Sequence, residues 1–338
     1  MKRYGHLYER ICDLDNIMQA HRSARKGKAH YREVRIIDAD QRRYALSLRN
    51  MLMAHEYRTS PYKVFRRMER GKEREISVLP YYPDRIVQWA IMRVLEPIWT
   101  PSLIHHTYSS IKGRGVHRGL ADLQRALRDV DGTRYCLKMD VRKFYPSLDR
   151  GVLKRTLRRK LKDPETLELL DEIVDSAPGP KGVPIGNYLS QYFGNLYLSG
   201  LDHWLKEVKR VRYYYRYCDD LVVLGPDKAE LHRLRRDIES YLQDELRLEL
   251  KDNWQVFPTR VRGIDFLGYR SFGDRTLLRE RTARKMKRRM AEIEQRGVWD
   301  EHARSVVASY RGWMRWCDAS GLERAYIAPT VERLGGTA

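Results

Sequence analysis

Residues 211–224 read VRYYYRYCDDLVVL: two arms rich in tyrosine, valine and leucine meet at a Cys-Asp-Asp tip. That order predicts a β-hairpin, because β-branched and aromatic residues favour the pleated backbone while aspartate favours the turn. It also sets two consecutive carboxylates, Asp219 and Asp220, at the end of a sheet. A second strand-like run, RYCLKMDV over 134–141, alternates apolar and polar residues and reaches Asp140 near its end. An Asp-Asp pair in a turn is most often only turn chemistry, since the side chains bond their own backbone there. Two strand ends that bring carboxylates to one place are more specific. Hard divalent cations take oxygen ligands and keep substrate phosphate as a further ligand. Two such ions, about 3.5–4 Å apart, activate an attacking 3′-hydroxyl and stabilise a leaving oxygen in an in-line displacement. Apolar strands around the aspartates make their shared burial costly unless cations neutralise them.

The charge balance points to a polyanionic partner. In 338 residues, 66 Lys and Arg face 45 Asp and Glu, a formal net charge of +21 with a pI near 9.8. Each basic side chain set against a phosphate releases condensed counterions, so such an excess suits nucleic acid. The N-terminal MKRYGHLYERICDLDN carries charges every few residues and has no signal-peptide pattern, and no apolar run spans a bilayer. Cys12, Cys136, Cys218 and Cys317 are isolated and form no metal-ligand spacing. The expectation is a cytoplasmic protein without zinc and without a membrane partner.

Along the chain, residues 1–70 read as mostly helical, with Tyr44, Leu48, Leu52 and Met53 at helical spacing. IVQWAIMRVLEPI over 86–98 predicts a helix stopped by Pro97. SSIKGRGVHRGLADLQRAL is a glycine-punctuated loop running into an amphipathic helix. A helix is expected around Leu153 to Ser176, another from near Asn187, and a strand or hairpin in RGIDFLGYRSF over 262–272. From Glu280 onward the pattern is helical and very basic. Strands and helices follow in irregular order, which predicts α+β lobes rather than a doubly wound sheet.

Tyr217-Cys218-Asp219-Asp220 resembles the YxDD box of reverse transcriptases, and Asp140 resembles the aspartate of their first palm motif. REISVLPYYPDRIVQWAIMRVLEPI, with Asp84-Arg85 and Gln88, is similar to the fingers motif of group II intron-like enzymes. FLGYR over 266–270 resembles the hairpin that grips a primer end, and SYRGWMRW lies in a thumb-like position. The resemblance covers about residues 70 to 320 and implies a right-hand polymerase fold. Its parts are a helical N-terminal extension over 1–70, fingers over 71–130, a palm over 131–275 with a fingers segment near 150–185, and a helical thumb over 276–338.

It also implies RNA-directed DNA polymerase activity with two Mg2+ ions and dNTP substrates. Asp140, Asp219 and Asp220 are the implied catalytic residues, and the metals are implied to bind Asp140, Asp219 and the Val141 carbonyl. Tyr145, five positions after Asp140, is implied to be the steric gate that excludes a ribose 2′-hydroxyl. Arg74, Ile185 and Gly186 are implied to contact the nucleotide. Many relatives carry a lysine at the position of Trp254 that can protonate the pyrophosphate; here Lys251, three residues earlier, is the candidate general acid.

Most reverse transcriptases have Pro-Gln-Gly where this chain has Pro184-Ile185-Gly186, followed by Asn187 and Ser190-Gln191. That pattern resembles the enzymes of diversity-generating retroelements, which copy a template RNA with frequent errors at adenines. An aliphatic side chain cannot donate the hydrogen bond that glutamine offers, and a pocket short of one polar contact discriminates less. Ile185 is therefore expected to lower fidelity. The same likeness implies a structured template RNA, a DNA or RNA primer and a small basic accessory protein, with Arg281, Arg284, Lys285 and Arg288 of the thumb as nucleic-acid contacts. A retron, intron-derived or phage-defence reverse transcriptase is the alternative with the same chemistry. An RNA-binding protein on a silent polymerase scaffold is the alternative of another class, against which the intact Asp140, Asp219 and Asp220 argue.

Overall fold

The computed structural model describes residues 2–336 other than Arg70, and leaves aside the side chains of Glu69, Lys72 and Arg74. The chain divides into two compact units that interleave in sequence. One comprises Met1–Ser110, Val141–Arg210 and Asp237–Lys251; the other comprises Ile111–Asp140, Val211–Arg236 and Asp252–Ala338. Helices and antiparallel sheets alternate irregularly, so the α+β expectation holds.

The first unit is built on the helix Ile86–Trp99, which is buried on nearly every side. The helices Tyr8–Cys12, Leu14–Ala24 and Tyr188–Tyr197 pack on it. Pro97 does not stop this helix, which continues to Trp99. Proline in a helix interior removes one hydrogen bond and crowds the preceding turn, at about 3 kcal/mol. Burial of Ile98 and Trp99 immediately beyond it supplies the offsetting term. The expected helix around 153–176 is two helices, Arg150–Arg158 and Pro164–Asp175, because Pro164 begins a new one at its first position. The expected helical character of residues 1–70 ends at Met53. Strand β1 (Lys63–Glu69) pairs antiparallel with β2 (Lys72–Val78) in a hairpin whose first strand is exposed over 63–68. With both faces of β1 open there is no burial alternation to read in the sequence, which is why that hairpin escaped it.

The second unit carries strands β3 (Tyr135–Asp140), β4 (Tyr213–Tyr217), β5 (Asp220–Gly225) and β6 (Gln255–Pro258). They form one antiparallel sheet in the order β4-β5-β3-β6. The hairpin expected over 211–224 is β4 and β5. The edge strand β6 was not anticipated, since its four residues alternate too briefly to register. A second sheet joins β7 (Ile264–Phe266), β8 (Tyr269–Ser271) and β9 (Thr276–Leu278). The basic C-terminal region is helical as expected; the helices Glu280–Arg296 and Glu301–Met314 enclose Met286, Met290, Ile293, Ala303 and Val307. Among the described residues no helix is long and apolar enough to cross a membrane.

Within the first unit Asp163 ties the N-terminal segment down. Its buried carboxylate accepts from the Leu7 and Tyr8 amides at 2.8 Å each and from Thr166 Oγ1 at 2.7 Å. Asp163→Ala orphans two buried amides, so urea unfolding should show a loss of about 3 kcal/mol.

Candidate active site

The register of the central sheet brings the carboxylates together. β3 and β5 are antiparallel with Asp140 directly opposite Asp220, and β4 meets β5 with Tyr217 opposite Asp220. Only Cys218 and Asp219 lie between the two strands of the hairpin, so Asp219 sits at the same end of the sheet. Cys218 takes a left-handed backbone conformation, φ 58°, which lets the chain reverse there. That conformation costs a residue with a Cβ about 1–2 kcal/mol. Arg216 in β4 helps to hold it. Its guanidinium is fully buried and donates to the Cys218 carbonyl at 3.1 Å.

Lys138 lies two residues before Asp140, on the same face of β3. Its ammonium donates to both oxygens of Asp220, at 2.8 and 3.0 Å, and to the Asp265 carbonyl at 2.5 Å. The same group lies 5.6 Å from the centre of the Phe266 ring. One cation thus joins the hairpin carboxylate to the first strand of the second sheet. Burial pushes the Asp220 carboxyl above the ordinary carboxylate range; Lys138 pulls it down and the nearby Asp140 charge pushes it up again. Hard oxygen donors such as these carboxylates fit a divalent cation. Asp140 and Asp219 could supply such donors. Val141, which follows Asp140, is buried and forms an antiparallel bridge with Leu250.

A cavity of about 300 Å³ adjoins Asp140 and is lined also by Lys138, Asn253, Gln255, Arg262 and Arg270. It sets two guanidinium groups on the carboxylate side of the sheet. The FLGYR segment is the turn between β7 and β8, with Leu267 at φ 57° and Gly268 at φ 91°. Tyr269 donates to the Trp313 carbonyl at 3.0 Å, which joins this hairpin to the helix Glu301–Met314.

The residues expected to contact the nucleotide, Arg74, Tyr145, Ile185 and Gly186, lie in the first unit. Tyr145 is half-buried in the short helix Phe144–Ser147, and its carbonyl accepts from the Val183 amide at 3.0 Å. The segment from Val183 then reaches β2, where the Ser77 amide donates to the Ile185 carbonyl at 3.1 Å. Gly186 follows at φ 121°, and a Cβ there would meet the Ser77 carbonyl oxygen at 2.7 Å. Only glycine lets the loop lie this close to the strand. Asn187 donates to Tyr62 at 3.0 Å, and the buried Gln88 accepts from the Tyr188 amide at 3.1 Å, capping the helix Tyr188–Tyr197. Arg74 is on β2, but its side chain lies outside the described residues.

Lys251 is half-buried, and three residues on Trp254 is occupied by packing, with the Arg235 guanidinium 4.6 Å from its ring centre. Arg281, Arg284, Lys285 and Arg288 are all exposed on the helix Glu280–Arg296. Arg284 pairs with Glu280, and Arg288 lies 3.4 Å from Glu292.

Sequence reasoning found the carboxylates and singled out Gln88 within a motif, but missed Lys138 and Arg216. A lysine at the i−2 position of a strand-end aspartate was the one available signal for Lys138. Two outcomes follow from this geometry. Lys138→Met leaves the carboxylates without their counter-charge, so stability in metal-free buffer should fall by about 2 kcal/mol for this partly exposed pair, and added Mg2+ should restore part of it in thermal melts. Arg281→Ala with Lys285→Ala should flatten the salt dependence of nucleic-acid binding by roughly 1 in slope per residue; the same changes at the acid-paired Arg284 and Arg288 should flatten it less.

A family model described as reverse transcriptase (RNA-dependent DNA polymerase) matches residues 63–271, well over half of the chain. The match runs from β1 to β8 and takes in all three carboxylates. Protein YkfC of Escherichia coli (strain K12) is 25% identical over 305 residues, covering 78% of this chain and 77% of that protein. The group II intron-encoded protein LtrA of Lactococcus lactis subsp. cremoris is 22% identical over 198 residues, covering 54% of this chain and 32% of that protein. Among solved structures, apo telomerase from Candida tropicalis truncated from its C-terminal domain aligns with a TM-score of 0.50 at 14% identity, over 68% of this chain and 58% of that one. The chain thus spans about a third of the intron-encoded relative and just over half of the telomerase chain. The structural likeness concerns the fold alone, and is consistent with a right-hand polymerase. Divalent-metal dependence, generally on Mg2+, comes with the family. By the extent of the family match, the chain belongs to the reverse transcriptases and is an RNA-directed DNA polymerase.

Proposed function

We propose that this protein copies a structured template RNA into cDNA from a DNA or RNA primer, with frequent errors at template adenines, as in a diversity-generating retroelement. The observation that carries the polymerase part is the pairing of Asp140 with Asp220 at one sheet end, with Asp219 at the adjoining turn. Asp140 and Asp219, with the Val141 carbonyl, are the residues that would hold two Mg2+ ions. When bound, such ions supply an activated 3′-hydroxyl and a stabilised pyrophosphate oxygen. Lys138 holds Asp220 and keeps its charge compensated. Arg262 and Arg270 beside Asp140 suit the phosphates of a primer end.

In the first unit Tyr145 is the gate against a ribose 2′-hydroxyl, and Arg74, Ile185 and Gly186 receive the nucleotide. Lys251 is the general acid for the leaving pyrophosphate. Fingers, palm and thumb follow the limits set out from the sequence, and the basic thumb face holds the template–primer duplex. A small basic accessory protein assists on the RNA.

Support for low fidelity rests on Ile185. Its carbonyl accepts from the Ser77 amide, and its aliphatic side chain has no amide to offer a nucleotide. A second reading, an intron-derived enzyme of ordinary fidelity, is favoured by the likeness to an intron-encoded protein.

Primer extension on an adenine-containing RNA, with Mg2+ and four dNTPs, separates these. Asp219→Asn should abolish synthesis, and sequenced wild-type products should carry errors concentrated opposite adenine. Ile185→Gln should lower that adenine error rate by about tenfold, the worth of one polar contact in a pocket. Accurate wild-type synthesis would favour the intron-derived reading. Synthesis that persists in Asp219→Asn would overturn the assignment of the carboxylates.

A further inference from the structure

We propose that Asn187 is a positioning residue for the incoming nucleotide: its side-chain amide, bonded to Tyr62, holds the Ile185–Gly186 loop against the base of the β1–β2 hairpin. The inference rests on the reading of Ile185 and Gly186 as nucleotide contacts.

Asn187 breaks a local rule. It is the N-cap of the helix Tyr188–Tyr197, a place where asparagine is favoured because its side-chain oxygen accepts from an amide of the first turn. Here the Asn187 side chain makes no such bond. The capping falls to Gln88, whose Oε1 accepts from the Tyr188 amide at 3.1 Å. Asn187 is buried, and its Nδ2 donates instead to Tyr62 Oη at 3.0 Å.

What lies behind Tyr62 fixes the direction of that bond. Ser176 Oγ donates its one proton to the Ile173 carbonyl at 2.8 Å. At 3.0 Å from Tyr62 Oη, Ser176 is therefore the acceptor of the phenol proton. Tyr62 Oη is left to accept in turn, and Asn187 Nδ2 supplies the hydrogen. Burial pushes the Tyr62 phenol above its ordinary value, with Ser176 and Asn187 pulling it down, so the proton of this relay stays in place at neutral pH.

The anchor is itself held. Tyr62 immediately precedes β1, and the residues before it are tied down. Tyr57 Oη donates to the buried Asp84 carboxylate at 2.8 Å, and the Ser60 amide to the same oxygen at 3.1 Å. The Thr59 amide donates at 2.9 Å to Glu172 Oε1, on the helix Pro164–Asp175 whose C-terminal cap is Ser176. The Ile185 carbonyl is bonded to Ser77 in β2, and Gln88 fixes the start of the helix beyond Asn187. Two such points leave rotation about the line that joins them. The bond from Asn187 to Tyr62 is a third point and stops that rotation, so Ile185 and Gly186 keep one orientation relative to the hairpin.

The test is steady-state incorporation of a single dNTP by the full chain with Mg2+ on an RNA template, with active enzyme counted by single turnover. Asn187→Ala, Tyr62→Phe, their double variant and Ile185→Ala are compared with wild type. Asn187→Ala and Tyr62→Phe should each raise the dNTP KM roughly three- to tenfold, the range of one neutral hydrogen bond, with kcat per active molecule within about twofold. The double variant should match the single ones, since both remove the same bond. Ile185→Ala should raise KM as well.

An unchanged KM in Asn187→Ala and Tyr62→Phe, where Ile185→Ala raises it, would overturn the role of Asn187 alone. So would losses confined to kcat or to the active fraction, the mark of a merely structural bond, or effects that multiply in the double variant. If Asn187→Ala does not fold, Tyr62→Phe, which removes a single oxygen, decides by the same criteria. An unchanged KM in Ile185→Ala would overturn the reading of the loop as a nucleotide contact, and the role of Asn187 with it.

Discussion

Three aspartates at the end of one sheet repel one another, and the side chains packed around them answer that repulsion. Asp140 and Asp220 face each other across β3 and β5, and Asp219 is their neighbour at the turn. In an apolar sheet such an arrangement stands only with compensating charge. Lys138 supplies part of it from within the sheet, bonding both Asp220 oxygens. The same ammonium bonds the Asp265 carbonyl, so the charge balance of the carboxylates depends on the placement of β7.

The hairpin turn shows how a local strain is carried by the tertiary structure. Cys218 accepts a left-handed conformation, and a buried arginine two residues earlier donates to its carbonyl. Burying a guanidinium is costly unless its donors are met. Arg216 thus couples the turn to the sheet's interior, and a change in either is felt at Asp219 and Asp220.

The first unit solves a different problem, the placement of a loop with little regular structure. The segment from Val183 to Asn187 is tied at both ends: to the Tyr145 carbonyl at one, and to β2, Tyr62 and Gln88 at the other. Gly186 allows the close approach to Ser77, and Gly194 allows the close approach of Tyr145 to the next helix. Two absent side chains, three and eleven positions past Val183, therefore shape this region less by new bonds than by removing obstacles.

The sequence by itself determined the elements whose signals are local. The β4–β5 hairpin, β3 and the basic C-terminal helices were legible because alternation, turn residues and helical spacing act within a dozen residues. The three carboxylates were legible for the same reason, since strand ends announce themselves. The tertiary structure alone decided what depends on distant partners: the continuation of a helix through Pro97 under burial of Trp99, the exposed β1–β2 hairpin, and the short edge strand β6. It also decided the roles of Lys138, Arg216, Gln88 and Gly194. Each of these acts through an atom supplied by another strand, turn or helix, and no periodicity along the chain encodes which atom that will be.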